Sequence, residues 1–402
     1  MKTITQTTLT MLLLATLFSG VLFAAEKFEP KFKKTVLDEK FYAEGAYYAD
    51  FNKDGNLDIV AGPFWYEGPD FNTRHEYTEV KECDLEGYSE FFFHFTGDYN
   101  GDGWEDIFAI GFPGGQGRWY ENPKGGQGHW KMTLAVPSVG GESPMIVDMN
   151  ADGQLDLIYV KDGLFGYGSF DTKNPYELWT FHPISSADDK IGRAGHGIGH
   201  GDINGDGRTD MLASEGWWEA PSDLKSTQPW KFHRFDFADA AAQILVFDVD
   251  GDGKNDVVTS HHCHFYGLAW FKQIRSDQGE ITWEKHEILS QTPDVNSDAL
   301  RISQLHAFDQ ADFNRDGVTD FVTGKRRWAH GSKGDIEPNA PFVLYWFETQ
   351  RTASGQMKIV PHLIDDHSGV GTQVAAVDLN KDGLPDILTS NKNGTFIFFN
   401  SK

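Results

Sequence analysis

The sequence predicts an all-β protein, a seven-bladed β-propeller of four-stranded antiparallel blades, and three observations lead to this prediction. An acidic loop of the form D-x-[ND]-x-D-G-x-x-D occurs seven times. The loops start about every fifty residues, a period typical of propeller blades rather than of helical repeats. Short apolar runs precede and follow each loop, and both are typical of β-strands.

Four strand-like runs recur in the same order in each unit. The apolar runs before and after the loop are followed by an aromatic run, such as FWYE at 64–67, and then by a run such as WKFH at 230–233. An aromatic run at 394–400 lacks its fourth strand, while FKKTVL at 32–37 resembles an unpaired fourth strand. We therefore expect the N-terminal strand to complete the last blade and close the ring, which removes an exposed edge.

The first residues predict export. An apolar run at 11–23 is followed by Ala24 and Ala25, as in a Sec-type signal peptide. The expected organisation is a signal peptide over residues 1–25 and a single propeller over residues 26–402. No later run is long and apolar enough to predict a membrane span, so we expect a soluble periplasmic or extracellular protein.

The net charge and the number of cysteines argue against two classes of protein. A formal net charge of -25 argues against nucleic acid as a partner. With only two cysteines the chain is not a disulfide scaffold, and the sequence leaves open whether Cys83 and Cys263 pair. No pattern indicates an oligomeric state.

The seven acidic loops predict calcium binding. Hard oxygen ligands at alternate positions suit calcium, and the glycine at position 6 permits the sharp turn. Position 7 varies widely in residue type, so its backbone carbonyl is the expected ligand. We expect up to seven structural Ca²⁺ ions whose binding is coupled to folding. The expected ligands are Asp50, Asp98, Asp148, Asp202, Asp248, Asp312 and Asp378 at position 1; Asn52, Asn100, Asn150, Asn204, Asp250, Asn314 and Asn380 at position 3; Asp54, Asp102, Asp152, Asp206, Asp252, Asp316 and Asp382 at position 5; Asn56, Trp104, Gln154, Arg208, Lys254, Val318 and Leu384 at position 7; and Asp58, Asp106, Asp156, Asp210, Asp256, Asp320 and Asp386 at position 9.

These loops resemble the FG-GAP/VCBS repeat of bacterial secreted propellers and integrin-alpha-like heads. The resemblance covers most of the chain and implies a calcium-stabilised propeller, in a family that includes binding proteins, adhesins and some enzymes. The stretch SQLHAFDQADFNRDG at 303–317 is also weakly similar to propeller polysaccharide lyases and to the propeller of aldos-2-ulose dehydratase. Those proteins also place a histidine in the innermost strand.

Candidate site residues are expected at the end of the propeller opposite the calcium loops. If the strand before each loop is innermost, the residues six positions before the loops surround the central channel. The links between second and third strands return to the same end and include SHHCH at 260–264 and GKRRWAHG at 324–331. The ring residues are Glu44, Phe92, Glu142, His196, Ala242, His306 and Thr372.

Three interpretations of this end of the molecule stay open. The polar residues could be unrelated to one another, or they could belong to a non-catalytic propeller that binds a glycan or a protein, as in adhesion, with tryptophans stacking on sugar rings in the glycan case. The tryptophans considered are Trp65, Trp119, Trp217, Trp218 and Trp328. In the third interpretation the protein is a sugar lyase or dehydratase.

For an elimination, the sequence offers a base and a cation. His196 or His306 could take the proton, and Arg326, Arg327 or a bound metal could stabilise the enolate, with His330 on the same loop. Hydrolysis by Glu44 and Glu142 is a weaker alternative. A second metal site, for Zn²⁺ or another divalent ion, could draw on His261, His262 and His264 together with His196 and His306. We expect a His/Arg-rich carbohydrate site, and the sequence leaves open whether it is catalytic.

Overall fold

The computed structural model describes residues 28–126, 128–186, 195–352 and 357–402. Regular secondary structure in these ranges consists of β-strands, and no helix found there is long and apolar enough to cross a membrane. The expected signal peptide, residues 1–25, lies outside the described residues. The protein is therefore all-β over the part of the chain that is described.

The described strands pair into five hydrogen-bonded sheets. In the order of hydrogen-bonded neighbours, the first sheet consists of β2 (Ala46–Ala49), β3 (Asp58–Ala61), β4 (Phe64–Glu67) and β5 (Thr73–Glu76), and the second of β6 (Phe93–Gly97), β7 (Asp106–Ile110), β8 (Gly115–Glu121), β9 (Lys131–Val147), β10 (Asp156–Lys161), β11 (Leu164–Ser169) and β12 (Thr180–Pro183). The third sheet consists of β16 (Lys231–Arg234), β15 (Gly216–Glu219), β14 (Asp210–Ala213), β13 (Ile198–Gly201), β17 (Gln243–Phe247), β18 (Asp256–Ser260), β19 (Leu268–Arg275) and β20 (Ile281–Leu289). The fourth sheet consists of β21 (Leu305–Ala311), β22 (Asp320–Lys325), β23 (Leu344–Arg351) and β24 (Met357–Asp365), and the fifth of β25 (Val374–Val377), β26 (Asp386–Asn391), β27 (Gly394–Ser401) and β1 (Lys31–Asp38).

Within each sheet the chain runs through antiparallel up-and-down units of four strands. The long strand β9 ends one unit and begins the next, since it pairs with both β8 and β10. Strand β13 pairs in parallel with β17 and so joins two units. First strands of successive units lie side by side at several junctions, as β2 does beside β6 and β21 beside β25.

Glycines let two of these first strands come close together. A Cβ atom on Gly199 would lie 2.4 Å from the carbonyl oxygen of Ile244, and one on Gly201 would lie 2.5 Å from Cγ1 of Val246. Both distances are shorter than van der Waals contact, so a larger residue at either position would push β13 away from β17. The glycines of the run GHGIGHG at 195–201 therefore allow β13 to pack closely against β17, and the same run contains two histidines.

Most fourth-strand histidines have a packing role. Their rings stack on the aromatic side chain of the third strand and contact a carboxylate two residues further along that strand, which holds the outer strand in place. The stacked pairs are Trp65 and His75 at 4.0 Å, Trp217 and His233 at 4.1 Å, and Trp346 and His362 at 4.4 Å between ring centroids. Their carboxylate partners are Glu67, Glu219 and Glu348 respectively.

The same packing changes the interpretation of the tryptophans. Trp119, Trp217 and Trp218 are fully buried, so they belong to the hydrophobic core and cannot stack on a sugar. The ring of His75 stacks on Trp65, and the guanidinium of Arg327 lies over the ring of Trp328. Sugar stacking by these five side chains is therefore not supported.

The N-terminal strand β1 pairs antiparallel with β27, from Lys31 opposite Ser401 to Asp38 opposite Thr395. Lys34 adds a salt bridge to Asp365 at 2.9 Å. The chain's first described strand thus covers the edge of its last strand.

Deleting residues 28–38 should expose the backbone groups of β27 as an unpaired edge. We expect a lower melting temperature and concentration-dependent aggregation, measured by calorimetry and light scattering. A protein that begins at residue 28 and keeps β1 is the matched control. Equal melting temperatures for the two proteins would contradict a stabilising role of β1.

Candidate functional site

Four ionisable ring residues converge at one end of the first strands. Glu44 precedes β2, Glu142 lies in β9, His196 precedes β13 and His306 lies in β21. Residues from the β18–β19 and β22–β23 links join them. We call this end of the molecule the mouth, and its polar groups form a buried layer and a more accessible layer.

Arg326 is the centre of the buried layer. Its side chain is 2% exposed. Nε donates to Oε2 of Glu44 at 2.9 Å, Nη2 contacts the same oxygen, and Nη1 donates to Nε2 of His306 at 2.8 Å. Glu44 and His306 thus occupy the guanidinium that the sequence suggested as a substrate-binding cation.

His306 is equally enclosed. Its Nδ1 donates to the carbonyl oxygen of Cys263 at 3.1 Å, while Nε2 accepts from Arg326. Burial, and then the charge of Arg326, lowers the pKa of His306 to about 4. The ring is therefore neutral at physiological pH, and it holds Arg326 in place instead of facing a ligand. The sequence prediction of His306 as a base is not supported by this position.

Glu142 connects the two layers. Its Oε2 lies 3.3 Å from Nε2 of His306 and 3.7 Å from Nδ1 of His196. Burial opposes ionisation, but contact with His306 and the surrounding charges, including that of Arg326, hold the pKa of Glu142 well below its usual range. Glu142 is therefore an ionised carboxylate beside the rings of His306 and His196.

Below the accessible layer the buried thiol of Cys263 contacts His196, which in turn contacts His264. Sγ of Cys263 lies 3.3 Å from Nδ1 of His196, and Nε2 of His264 lies 3.2 Å from Nε2 of His196. Burial, and then the neighbouring histidines, lowers the pKa of His264 to about 2, and burial lowers that of His196. His196 keeps 19% of its side chain exposed. A neutral, reachable imidazole can accept a proton or bind a metal.

His330 completes the accessible layer together with a partner that sequence reasoning missed. Its side chain is 51% exposed, and its ring centroid lies 4.4 Å from that of His264. The buried carboxylate of Asp335 accepts hydrogen bonds from both the backbone N–H and Nδ1 of His330, each at 3.1 Å. Asp335 therefore fixes the ring orientation and leaves Nε2 free to face solvent.

Aromatic side chains surround the mouth. Tyr88 and Phe112 are 42% and 41% exposed, with ring centroids 4.7 Å apart, and Phe265 is 50% exposed. The Tyr88 hydroxyl donates to the carbonyl oxygen of Ala329 at 2.9 Å, which ties the rim to the loop that carries His330. Sequence reasoning missed these three residues because they lie in links outside the repeating pattern.

Other predicted site residues point elsewhere. Arg327 donates from Nη1 to Oδ1 of Asn393 at 2.7 Å, and His261 contacts Asp239 at 3.1 Å. Nδ1 of His262 accepts from the backbone N–H of His264 at 3.2 Å. The predicted trio of His261, His262 and His264 is therefore not assembled, because successive side chains of this turn point to different sides. Cys83 and Cys263 do not form a disulfide.

The acidic loops lie at the opposite ends of the strands from the mouth. At the loop end of the first hairpin Ala49 pairs with Asp58, and at the mouth end Ala46 pairs with Ala61. In each loop the position-1 aspartate accepts backbone N–H groups of its own turn; Asp98, for example, accepts from Asp102 at 2.9 Å and from Gly103 at 2.7 Å.

The position-9 aspartates are buried in all seven loops. Asp58 shows the pattern, because its two carboxylate oxygens accept the N–H of Phe51 in the loop and of Gly68 beyond β4, each at 2.8 Å. This residue therefore joins the loop to the third strand. In the fifth loop, carboxylate oxygens of Asp248, Asp250 and Asp256 all lie within 4.8 Å of one another.

Comparison with known proteins agrees with this fold. Family models match residues 98–159 as an FG-GAP-like repeat and residues 370–401 as an FG-GAP repeat. A solved structure of an Agrocybe aegerita lectin, described as specifically recognising non-reducing terminal N-acetylglucosamine, aligns with a TM-score of 0.50 at 15% identity. The alignment covers 90% of this chain and 86% of the lectin chain. Two stretches of this chain therefore match FG-GAP repeat models, and its fold is similar to that of the lectin. No curated protein sequence matches it significantly.

The buried ion pair of Glu44 and Arg326 can be tested by a double-mutant cycle. Removing one partner of a buried pair leaves an uncompensated charge and typically costs about 3–5 kcal/mol. We expect losses of this size for Glu44→Gln and for Arg326→Met in urea unfolding, and a smaller loss for the double variant than the sum of the two. The exposed pair of Lys40 and Glu82, worth at most about 1 kcal/mol, is the control. Additive losses would show that the two side chains do not interact.

Proposed function

We propose that the seven four-stranded units of this chain form one closed seven-bladed ring. Two observations support closure: β1 completes the sheet of β25, β26 and β27, and β2 of the first unit lies beside β25. The apolar run at the N-terminus supports export before folding. A closed ring gives the mouth a rigid floor, which suits a preorganised site.

We further propose that the acidic loops bind structural calcium. Several of them already attract cations: Lys124 contacts Asp102 at 3.1 Å, and Lys272 contacts Asp250. Burial, followed by the charges of Asp102 and Asp98, raises the pKa of Asp106 to about 8. A calcium ion would offset this clustering of negative charge, and the donors present are the oxygen ligands that calcium prefers.

Calcium removal should therefore destabilise the protein. A site that binds only the folded state adds about 2.7 kcal/mol when free calcium is 100 times its dissociation constant. We expect the melting temperature to fall in chelator, to return with added Ca²⁺ and to return less with Mg²⁺, measured by calorimetry. Replacing Asp248 and Asp252 with Asn should reduce the calcium-dependent gain. The same melting temperature in chelator and in calcium would refute the calcium proposal.

For the mouth, we propose a carbohydrate site that performs an elimination on an acidic sugar. The observation that carries this proposal is that the imidazoles of His196 and His330 are partly exposed beside the exposed rings of Tyr88 and Phe112. Aromatic rings bind the apolar faces of sugars, and neutral imidazoles accept protons near neutral pH. The lectin with a similar fold recognises a terminal sugar, which is compatible with this use of the surface.

In the proposed reaction an imidazole takes the proton on the carbon next to the sugar carboxylate. The electron pair left behind forms a carbon–carbon double bond as the oxygen substituent on the neighbouring carbon departs, and that oxygen gains a proton. His330 suits the base because Asp335 fixes its tautomer, and the proton that it takes can pass to the departing oxygen. His196, held beside Glu142, helps to position the substrate. Glu44, Arg326 and His306 act from beneath by holding Glu142 and His196 in position.

A second candidate is glycan binding without chemistry. The exposed side chains of Tyr88, Phe112 and Phe265 support it, because aromatic rims alone can hold a sugar. Direct binding measurements on the same variants would separate this candidate from an enzyme.

The reaction can be tested on polysaccharides rich in uronic acids, such as alginate, pectate and chondroitin sulfate. We expect absorbance of an unsaturated uronate to appear with the wild-type protein. The rate should fall by about 10²-fold or more in His330→Asn, as is typical when a general acid or base is lost, and it should also fall in His196→Gln. His261→Asn, on the same face but paired with Asp239, should keep full activity. Saturable binding without product on every substrate would favour the lectin-like candidate.

A further inference from the structure

We propose that His196, Cys263 and His264 bind one transition-metal ion of the zinc class at the mouth. The role of the ion rests on the proposed function, but its binding does not. Ligand atoms of these three side chains all lie within 4.8 Å of one another. Among the described residues they form a cluster separate from the acidic loops, and its donors are of a different chemical kind.

The spacing of the side chains suits direct coordination. With bonds of about 2.0–2.1 Å to nitrogen and 2.3 Å to sulfur, neighbouring ligands of tetrahedral zinc lie roughly 3.3–3.7 Å apart. The structure places Sγ of Cys263 3.3 Å from a nitrogen of His196, and the other nitrogen of His196 3.2 Å from His264. These two distances use different nitrogens of His196, so one ion would take one of them and draw the remaining ligand, which lies within 4.8 Å, closer.

The number of protons that the ring nitrogens of the cluster can share also favours a bound metal ion. The facing Nε2 atoms of His196 and His264 can share only one proton, and the buried Nδ1 of His264 has no hydrogen-bonding partner among the described residues. Binding of M²⁺ would add bonds to sulfur and nitrogen and release the thiol proton to solvent, with no change of oxidation state. One proton released for each ion bound is the expected balance.

An overlapping trio of Glu142, His264 and His306 has similar spacing. However, Nη1 of Arg326 lies 2.8 Å from Nε2 of His306 and 4.0 Å from Glu142. This guanidinium occupies the nitrogen that a metal would need, and its positive charge would repel a cation. We therefore place the ion on the side of the cluster formed by Cys263.

The ligand types separate this site from the acidic loops. Thiolate and imidazole ligands select zinc, copper or cobalt over calcium and magnesium. Three protein ligands leave a fourth position open, as in catalytic zinc sites. The guanidinium of Arg326 already donates hydrogen bonds to Glu44 and His306. An ion bound at Cys263 would therefore supply the positive charge that a substrate carboxylate needs during proton abstraction.

The test is a titration with Co²⁺ alone, in excess Ca²⁺, on full-length protein carrying Cys83→Ser. We expect one equivalent to bind with a thiolate-to-cobalt charge-transfer band and release of about one proton. Cys263→Ser should abolish the band. His264→Ala should weaken binding by more than about 100-fold, the upper end of the loss seen when only an outer-shell partner is removed. His261→Ala is the matched control from the same segment, and it should bind like its parent.

Folding of each variant is checked by its melting temperature in calcium. If Cys263→Ser fails to fold, Cys263→Ala replaces it, because an apolar side chain suits this fully buried position, and it should likewise lack the band. No tight binding in excess calcium, or an unchanged spectrum in the folded Cys263 variant, would each overturn the site. Elimination activity without any metal binding would support the proposed function and reject the metal site. Metal binding without elimination activity would support the metal site and reject the proposed function.

Discussion

The rest of the structure depends on a buried carboxylate that accepts backbone N–H groups in every repeat. In the first loop, Asp58 accepts the N–H of Phe51 and of Gly68, and Asp320 accepts those of Phe313 and Thr349 in the sixth. Burying a carboxylate is unfavourable unless such donors compensate it. Each of these bonds therefore fixes where the loop ends and where the third strand lies, and with them the direction of the first strand toward the mouth.

With the strands held in this way, the mouth can carry a dense polar cluster without losing its shape. Glu44 and Arg326 neutralise one another beneath the surface, and His306 is neutral in the same layer. The side chains above them, His196 and His330, stay reachable from solvent. This separation explains how one protein end can contain both a structural charge pair and groups available for proton transfer. It also explains why replacing a buried member should affect folding more than replacing an accessible one.

Single residues show how far the site could be predicted from sequence. Counting six positions back from each loop identified Glu44, Glu142, His196 and His306, because strand period and loop register place equivalent residues at equal depth. Counting could not reveal that Arg326 and His306 are enclosed, since enclosure depends on neighbours from other units. It also missed Asp335, which lies in an irregular link and acts only through His330.

The sequence by itself determined the all-β class, the repeated unit and its order of strands, because alternating burial and tight acidic turns leave a local and periodic pattern. The tertiary structure alone decided which polar residues meet. His196 and His264 are 68 positions apart in the chain, and Glu44 and Arg326 are 282 apart. Their contacts arise because strands from separate units end at the same mouth. Local sequence preferences contain no information about that convergence, whereas packing of the complete set of units imposes it.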